Sequence, residues 1–556
     1  MNETSLLNVN MLALSSSQPD LSVKLGKESV SEKVLIKRSR TGLPVPVLRK
    51  ESREYSLHST IDPRREGERF YQTAPRGGYL VFLGFGGGYH ISPFLKRNDV
   101  SRLVIIDFDA AQFKALLSQV DMREFFLDKR VRFLIDPTPE DINREMLGNY
   151  LPAVSGNLQV LQLRARVHID RELFNATQKH IQDIIKSISE DYSVQSYFGK
   201  RWFVNSVRNL KVAETSTTTL PPVRKALITA AGPSLEDQLP DLKQQLGRGS
   251  LIATDTSLPF LLKNDIVPDL VVSIDCQHIT YHHFLAGYPE HVPLVLDLAS
   301  PNHLTTKTDR LVFFTSGHPF SKYVNSVWRR FPYIDTSGGN VSHAAVSLAE
   351  ALGAQQILLY GADFSFPEGK SYCRGTYLYP FFQTSASRAV PLEHHFFSFL
   401  LRNENIIKVK EPGYIRYTTT PMISYKERLE QASRYLTAEL LSAPGKGEML
   451  DTAHKTVQRN SSGVIGTLFS AGAAAVSWRQ FIRSYSEAVT DLPLPQESLS
   501  DYRSSISKEQ NDIVTTLLPA AAAIRREQKL QGIRKAGPEI IKDVIEWTRN
   551  TIDSYL

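Results

Sequence analysis

The sequence predicts an α/β protein that contains two parallel sheets and ends in a helical region. Short apolar stretches alternate with helical intervals between about residues 66 and 420, a pattern typical of parallel sheets covered by helices. From about residue 421, apolar residues recur at helical spacing instead. The length of 556 residues suffices for about three or four domains. We predict a lead-in, an N-terminal α/β domain, a central parallel α/β domain and a helical C-terminal domain, at 1–65, 66–215, 216–420 and 421–556.

The composition argues against several classes of function. The 65 basic and 58 acidic side chains are mixed along the chain, and no long basic run with interleaved aromatic residues suggests nucleic-acid binding. Cys276 and Cys373 do not have the spacing of metal ligands. The N-terminus lacks the pattern of a signal peptide, and the longest apolar stretch, 464–478, is too short to span a bilayer. We therefore expect a cytoplasmic protein without a membrane span.

The first segment, 1–65, is polar and offers little apolar surface for a core, so we expect it to be partly disordered, with room for short strands. The N-terminal domain then begins with an apolar strand at 79–84. Two further strands, 103–106 and 131–135, end at the acidic residues Asp107 and Asp136.

The first strand of this domain ends in the glycine-rich turn Gly84-Phe-Gly-Gly-Gly-Tyr-His90. A glycine-rich turn with Asp107 about twenty residues further on predicts a Rossmann-like N-terminal domain, and it is compatible with a dinucleotide or methyl-donor site. The glycines follow the pattern G-x-G-G-G, not G-x-G-x-x-G. A turn that only shapes the scaffold is therefore the alternative.

The central domain follows a linker rich in Ser, Thr and Pro at 212–222. Its first strand, 226–231, breaks at Gly232-Pro233-Ser234, where a helix begins with Pro233 at a favourable first position. A strand that enters a helix through small residues forms an anion site, because free N–H groups and the helix dipole face the ligand. This corner predicts a phosphate or pyrophosphate site, with a structural turn as the alternative.

Further polar residues follow the later strands of this domain, where open α/β sheets bind their ligands. We expect these residues to meet the corner in one crevice. They are Asp255, Asp275, Gly338, Gly339 and Asp363.

The C-terminal domain is expected to be a helical bundle. Ser424 and Glu427 form a capping-box pattern, and apolar residues follow at helical spacing. Alanine-rich stretches at 471–475 and 520–523 suit close helix packing.

These motifs together resemble those of the motility-associated factor (Maf) glycosyltransferases, which modify bacterial flagellin. The resemblance rests on five motifs and extends over roughly residues 70–420. The motifs are Gly232-Pro-Ser-Leu235, Thr254-Asp255, Ile266-x-Pro-Asp-x-x-x-Ser-Ile-Asp275, Ser337-Gly-Gly-Asn-Val-Ser342 and Leu358-Leu-Tyr-Gly-Ala-Asp363.

The resemblance implies a central sialyltransferase-like (MptE-like) domain, related to bacterial sialyltransferases and archaeal hydroxymethylpterin pyrophosphokinases. It implies transfer of a nonulosonic acid, of the pseudaminic or legionaminic type, from a CMP-linked nucleotide sugar to Ser or Thr of flagellin. Gly232, Pro233, Ser234 and Asp255 would line the nucleotide. Gly338, Gly339, Ser342 and Asp363 would close the side that faces the sugar.

The expected mechanism is direct displacement, with a histidine taking the proton of the acceptor hydroxyl. The nearest candidates after the last strand are His394 and His395, with packing against Phe396 and Phe397 as the alternative role. Asp275 and Asp255 could bind ribose hydroxyls or a divalent ion, and capping is the alternative for Asp275 and Asp363.

An aromatic group after the last strand could either pack in the core or form a lip that faces the acceptor. Its members are Tyr372, Tyr377, Tyr379, Phe381 and Phe382.

Two other functions fit the same residues. One is a hydroxymethylpterin pyrophosphokinase-like phosphotransferase that uses the corner at Gly232 for phosphate. The other is a non-catalytic adaptor that binds flagellin through residues 421–556.

Overall fold

The computed structural model describes residues 3–75, 77–452, 469–495, 502, 505–533, 535 and 537–556. The chain forms two compact units. The first comprises Met1–Gly199 and Ala488–Asn550, and the second comprises Lys200–Glu487 and Thr551–Leu556. Each unit contains its own parallel sheet.

The first unit contains a four-stranded parallel sheet and a three-stranded antiparallel sheet, in the orders β6-β5-β4-β7 and β1-β2-β3. All five residues of the central strand β4 are buried, as its apolar run predicts. The strands are β1 (Val34–Arg38), β2 (Pro44–Lys50), β3 (Arg53–Ser56), β4 (Tyr79–Leu83), β5 (Arg102–Asp107), β6 (Val131–Ile135) and β7 (Leu158–Gln162). The helices are α1 (Glu3–Ser17), α2 (Pro19–Lys27), α3 (Pro63–Thr73), α4 (Ser92–Leu95), α5 (Ala110–Gln119), α6 (Arg123–Leu127), α7 (Pro139–Asn149), α8 (Pro152–Ser155), α9 (Arg164–Ile169) and α10 (Arg171–Thr215), whose last part belongs to the second unit.

The lead-in is ordered, which corrects the expectation of partial disorder. Residues 3–56 form two helices and the antiparallel sheet. Leu14 and Leu25 are fully buried in the core of the first unit, and the Asn10 side chain donates to the carbonyls of Leu117 and Val120 at 2.7 and 2.8 Å. A few well-spaced leucines are therefore enough to anchor a segment whose average composition is polar.

The second unit contains a seven-stranded parallel sheet in the order β12-β11-β10-β9-β8-β13-β17 and an antiparallel sheet in the order β14-β16-β15. The strands are β8 (Lys225–Thr229), β9 (Ser250–Thr254), β10 (Leu270–Ser273), β11 (Leu294–Asp297), β12 (Leu311–Phe314), β13 (Gln356–Tyr360), β14 (Phe366–Pro367), β15 (Ile407–Glu411), β16 (Tyr414–Thr418) and β17 (Glu439–Ser442). The helices are α11 (Ser234–Gln245), α12 (Leu258–Lys263), α13 (Pro319–Val327), α14 (Val341–Ala351), α15 (Leu378–Gln383), α16 (Leu392–Leu400), α17 (Thr420–Ser433) and α18 (Trp478–Thr490), with 3₁₀ helices at His278–Phe284 and Asn302–Thr306.

The order in which the chain adds strands to the sheet reverses beside β8. The chain moves from β8 through β9 to β12 on one side and returns to β13 on the other. Such a switch point opens a crevice outside the carboxyl ends of the strands. The structure therefore places the ends of β8, β9, β10 and β13 along the edge where the sequence predicted a site.

The C-terminal part is less uniform than the predicted helical domain 421–556. The helix α17 begins at Thr420, so Ser424 and Glu427 lie inside it and do not cap its start. The strand β17 adds to the large sheet by pairing with β13, and residues 471–474 are not helical. The helices α19 (Lys508–Leu530) and α20 (Gly537–Asp553) come later in the chain, and α19 contains the buried residues 520–523.

Residues 421–556 are divided between the two units and do not form a unit of their own. Residues 464–468 of the longest apolar stretch lie outside the described residues. Among the helices that the structure describes, none is both long enough and apolar enough to cross a membrane.

Candidate active site

The corner after β8 is held by a carboxylate of the protein itself. The backbone N–H of Ser234, at the start of α11, donates to Oδ2 of Asp363 at 2.8 Å. A Cβ at Gly232 would lie 2.3 Å from the same oxygen, so this close approach requires glycine. Burial raises the pKa of Asp363, while its bonds with Ser234 act in the opposite direction. The structure thus differs from the prediction that this N–H faces a phosphate, because Asp363 acts here as the cap of α11.

A loop from the C-terminal part closes over the same corner. The backbone N–H of Lys446 donates to Oγ of Ser234 at 2.8 Å, and the Gln238 side chain donates to the carbonyls of Ala443 and Pro444 at 3.1 and 3.0 Å. Pro233 and Ser234 are buried, and Gly232 is half-buried. Asp363 and the loop at 443–446 therefore supply hydrogen-bond partners at this corner, and the nucleotide-binding roles of the corner residues stay a prediction.

Two carboxylates lie together beyond the next two strands, as predicted. Asp255 follows β9 and accepts from the hydroxyl of Ser273 at 2.6 Å and from the backbone N–H of Thr256 at 2.7 Å. Asp275 follows β10 and accepts from the backbone N–H of Gln277 at 2.9 Å. Burial raises the pKa of Asp275, the bonds from Gln277 oppose this, and the charge of Asp255 raises it further. The two acids thus form an electrostatically coupled pair at the carboxyl edge.

Two tyrosines of the predicted aromatic group lie beside this pair. Burial, the neighbouring Tyr377 and the charges of Asp255 and Asp275 raise the pKa of Tyr372. Burial and the same two carboxylates raise the pKa of Tyr377. Both phenols therefore keep their protons at neutral pH and are able to donate hydrogen bonds.

A histidine that the sequence reasoning missed completes the group. His283 lies in the 3₁₀ helix His278–Phe284, and its ring centroid is 4.9 Å from that of Tyr377 at an interplanar angle of 80°. It is also close enough to Asp275 to lower the pKa of that carboxyl. We call Asp255, Asp275, His283, Tyr372 and Tyr377 the carboxyl-edge cluster. The sequence signal was a run rich in histidine directly after Asp275.

The predicted glycine loop before α14 lies next to this cluster. Asn340 caps α14 by accepting from the backbone N–H of His343 at 3.0 Å. Gly339 has a φ of +81°, and a Cβ there would lie 2.9 Å from the ring of Tyr425. Tyr425 is in turn close enough to Tyr372 to influence its pKa. The loop thus reaches the cluster through Tyr425, a residue that the sequence did not single out.

The remaining loop residues have structural partners nearby. A Cβ at Gly338 would overlap the ring of His343, whose pKa burial lowers to about 4. Ser342 is half-buried in the first turn of α14. Their predicted contact with a sugar stays a prediction.

The two predicted base candidates lie elsewhere. His394 is exposed on α16, and His395 stacks on Phe382 with ring centroids 5.6 Å apart. Among the described residues, no hydrogen bond, ion pair or ring contact joins either histidine to Asp255 or Asp275. The structure therefore does not bring these histidines into the carboxyl-edge cluster.

The glycine turn of the first unit is occupied by side chains of that unit. Asp107 accepts from the backbone N–H of Phe85 and from Nε of Arg166, both at 2.8 Å, and the N–H of Gly87 donates to Nε2 of His58 at 2.9 Å. A Cβ at Gly86 would meet His58 at 2.7 Å. The turn thus serves as scaffold, and the proposed dinucleotide or methyl-donor site is not supported.

The described residues do not supply a complete set of ligands for the predicted divalent ion. In the part of the chain that the structure describes, no three His, Cys, Asp or Glu side chains are grouped to hold a metal. An ion at Asp255 and Asp275 would need phosphate oxygens as further ligands, as is common for Mg²⁺.

A family model described as 6-hydroxymethylpterin diphosphokinase MptE-like matches residues 200–369. This range includes Asp255, Asp275 and His283, and it ends before Tyr372, Tyr377 and the closing loop. An uncharacterized protein of Treponema pallidum (strain Nichols) is 32% identical over 171 residues, which are 30% of this chain and 80% of that protein. A second uncharacterized protein of the same organism is 34% identical over 153 residues, so the chain spans 54% of its length.

A solved structure matches the whole chain. The structure of MAf glycosyltransferase from Magnetospirillum magneticum AMB-1 has a TM-score of 0.60 and 15% identity, over 100% of this chain and 96% of that protein. The predicted α/β fold class, and the resemblance to Maf proteins at the level of the fold, are confirmed.

Proposed function

We propose that this chain, which belongs to the same family as the first Treponema pallidum protein and has the fold of a Maf glycosyltransferase, is itself a glycosyltransferase. The finer proposal is that it transfers a nonulosonic acid of the pseudaminic or legionaminic type from a CMP-linked donor to Ser or Thr of flagellin. The cytoplasm is the proposed place of the reaction.

The observation that carries the proposal is the carboxyl-edge cluster. Two carboxylates and two phenols influence one another electrostatically near the carboxyl ends of the strands, where open parallel sheets bind their ligands. Perturbed groups that converge in this way are typical of functional sites. The acids are able to accept hydrogen bonds from sugar or ribose hydroxyls, and the phenols are able to donate to phosphate oxygens.

The proposed reaction is a direct displacement. The acceptor oxygen bonds to the anomeric carbon while the bond from that carbon to the phosphate oxygen breaks, and the electron pair leaves with CMP. Tyr372 and Tyr377 would stabilise the negative charge that develops on this phosphate oxygen. Loss of one such donor typically lowers the rate by about 100- to 1,000-fold.

The test is a transfer assay with the full chain, purified flagellin and CMP-linked pseudaminic or legionaminic acid. We expect the mass of flagellin to rise by whole sugar residues and CMP to be released. D275N should abolish this gain, because the change removes a carboxylate of the cluster. D269N is the matched control, since Asp269 precedes β10 at the opposite edge of the sheet and accepts from the Leu251 N–H at 2.7 Å. Equal transfer by both variants would contradict the proposed site.

A second candidate is favoured by the family model, whose description names 6-hydroxymethylpterin diphosphokinase. In that reaction the pterin hydroxyl attacks the β-phosphorus of ATP, and AMP leaves. Incubation with 6-hydroxymethylpterin and ATP separates the two candidates. Formation of AMP and pterin diphosphate, with no transfer to flagellin, would favour this alternative.

The adaptor alternative predicts binding without chemistry. A chain with both Asp255→Ala and Gly232→Val should then still bind flagellin and support filament assembly. We expect instead that sugar transfer is lost in this variant.

A further inference from the structure

We propose that His283 is the group that takes the proton of the acceptor hydroxyl. The inference rests on the proposed function and deepens it, because it assigns the base of the same site. It replaces the sequence-based candidates, His394 and His395, which lie on α16.

The position of His283 is the first argument. Its 3₁₀ helix begins three residues after Asp275 and holds the ring edge-on against Tyr377 at 4.9 Å between centroids. Its neighbour His282 stacks on the same tyrosine at 5.6 Å and 28°. The ring of His283 therefore packs against a phenol of the cluster and lies close enough to Asp275 to lower the pKa of that carboxyl.

The second argument is an unused hydrogen-bonding atom. The His283 side chain is more than nine-tenths buried, and its Nδ1 has no hydrogen-bond partner among the described residues. Buried polar atoms in proteins almost always have a partner. A substrate hydroxyl donating to this imidazole would supply one.

The two carboxylates of the cluster already accept hydrogen bonds from groups of the protein. Asp255 accepts from Ser273 and Thr256, and Asp275 accepts from Gln277. Among the described residues, His283 interacts with Asp275 and Tyr377, and its chain neighbour His282 stacks on the same tyrosine. The Asp275 carboxylate would stabilise the imidazolium that forms, in the way that a carboxylate supports a histidine base.

The proton of the acceptor hydroxyl is transferred during the displacement, so that all bonds and charges are accounted for. As the acceptor oxygen bonds to the anomeric carbon, its proton moves to the imidazole, and the electron pair of the breaking bond leaves with CMP. Neutral His283 becomes an imidazolium, which later releases the proton to water.

The test compares H283Q with H303Q in the transfer assay with CMP-linked pseudaminic or legionaminic acid and flagellin. His303 is the matched control, because its Nε2 is also buried without a partner, yet it stacks on His278 outside the cluster. General-base catalysis contributes about 100- to 10,000-fold, so we expect H283Q to lose at least about 100-fold in kcat. CMP affinity, measured by calorimetry, should stay within about threefold of wild type, and H303Q should keep its kcat.

A second measurement separates a catalytic histidine from a structural one. Exogenous imidazole should restore part of the transfer by H283A, because a free base is able to occupy the space of the missing ring. An H283A variant that binds CMP normally and transfers sugar at the wild-type rate, or that gains nothing from imidazole, would overturn the inference.

The outcomes separate the inference from the proposed function. Transfer by wild type and equally by H283Q, or loss only in H394Q and H395Q, overturns the role of His283 alone. A wild-type chain that binds CMP but transfers no sugar overturns the proposed function, and the inference with it.

Discussion

Asp255, Asp275 and Asp363 all follow buried strands of one sheet, yet their carboxylates have different partners. Asp363 caps α11 through the Ser234 N–H, whereas the charge of Asp255 adds to the effect of burial on the pKa of Asp275, and both carboxylates help to raise the pKa of Tyr372. The position of each acid at the end of a strand was predictable from the alternation of apolar runs and acids. Which acid would cap a helix was not, because that choice depends on the loop after β17.

His283 shows the limit of sequence reasoning at the residue scale. Three histidines follow Asp275 within eight residues, and no local pattern distinguishes the buried His283 from the exposed His278 and the half-buried His282. His394 and His395 form an equally prominent pair. Only the packing of the 3₁₀ helix against Tyr377 separates these candidates.

Asp275 should destabilise the fold at neutral pH, and the variant D275N tests this. Burial raises its pKa, so the folded state binds its proton more tightly than the unfolded state does. The stabilisation this provides is complete below the unfolded pKa of about 3.9 and is lost as the pH rises through the folded pKa. We therefore expect D275N to raise the thermal midpoint at pH 7 while it abolishes transfer, which is the usual trade-off at functional sites.

Differential scanning calorimetry at pH 7 and near pH 3.5 provides the measurement. The advantage of D275N should shrink at the lower pH, where the wild-type carboxyl is also neutral. A lower midpoint for D275N at pH 7 would show that the carboxylate contributes more through its bonds with Gln277 than its burial costs.

At the scale of elements, apolar runs predicted most of the large sheet. The apolar runs 250–254 and 356–360 coincide with β9 and β13. The apolar runs 226–231, 270–274, 293–298 and 310–315 differ from β8, β10, β11 and β12 by one or two residues at their ends. The strand β17 was missed because Leu429, Ala432, Leu436 and Leu440 happen to follow helical spacing. Pairing with β13 overrides this local pattern, since tertiary packing decides short apolar segments.

The strand β17 provides a matched pair of substitutions. Leu440 is 2% exposed in the core of the second unit, whereas its neighbour Leu441 is 38% exposed. We expect L440A to lower the free energy of unfolding by about 2–5 kcal/mol, because the change leaves a cavity. L441A should stay within about 0.5 kcal/mol of wild type.

Urea unfolding of the two variants measures this difference. Equal losses would contradict this packing, since Leu440 is buried in the core of the second unit and Leu441 is exposed.

At the scale of the whole molecule, the two parallel sheets looked equally able to bind a ligand. Both carry small residues and acids at the carboxyl ends of their strands. In the first unit, the N–H of Gly87 in the glycine turn donates to His58, and Asp107 forms an ion pair with Arg166. These partners are distant in sequence from the turn, so no local pattern could have revealed them. The carboxyl-edge cluster of the second unit is consequently the site on which the proposed function depends.

The most direct test of this proposal is the intact mass of flagellin from cells that lack the chain and carry wild type, D275N or D269N in its place. We predict that flagellin is lighter by whole sugar residues without the chain and with D275N, and that wild type and D269N restore the full mass. An unchanged mass in cells that lack the chain would contradict the proposed glycosyl transfer. Restoration by D275N as well would contradict the assignment of the carboxyl-edge cluster.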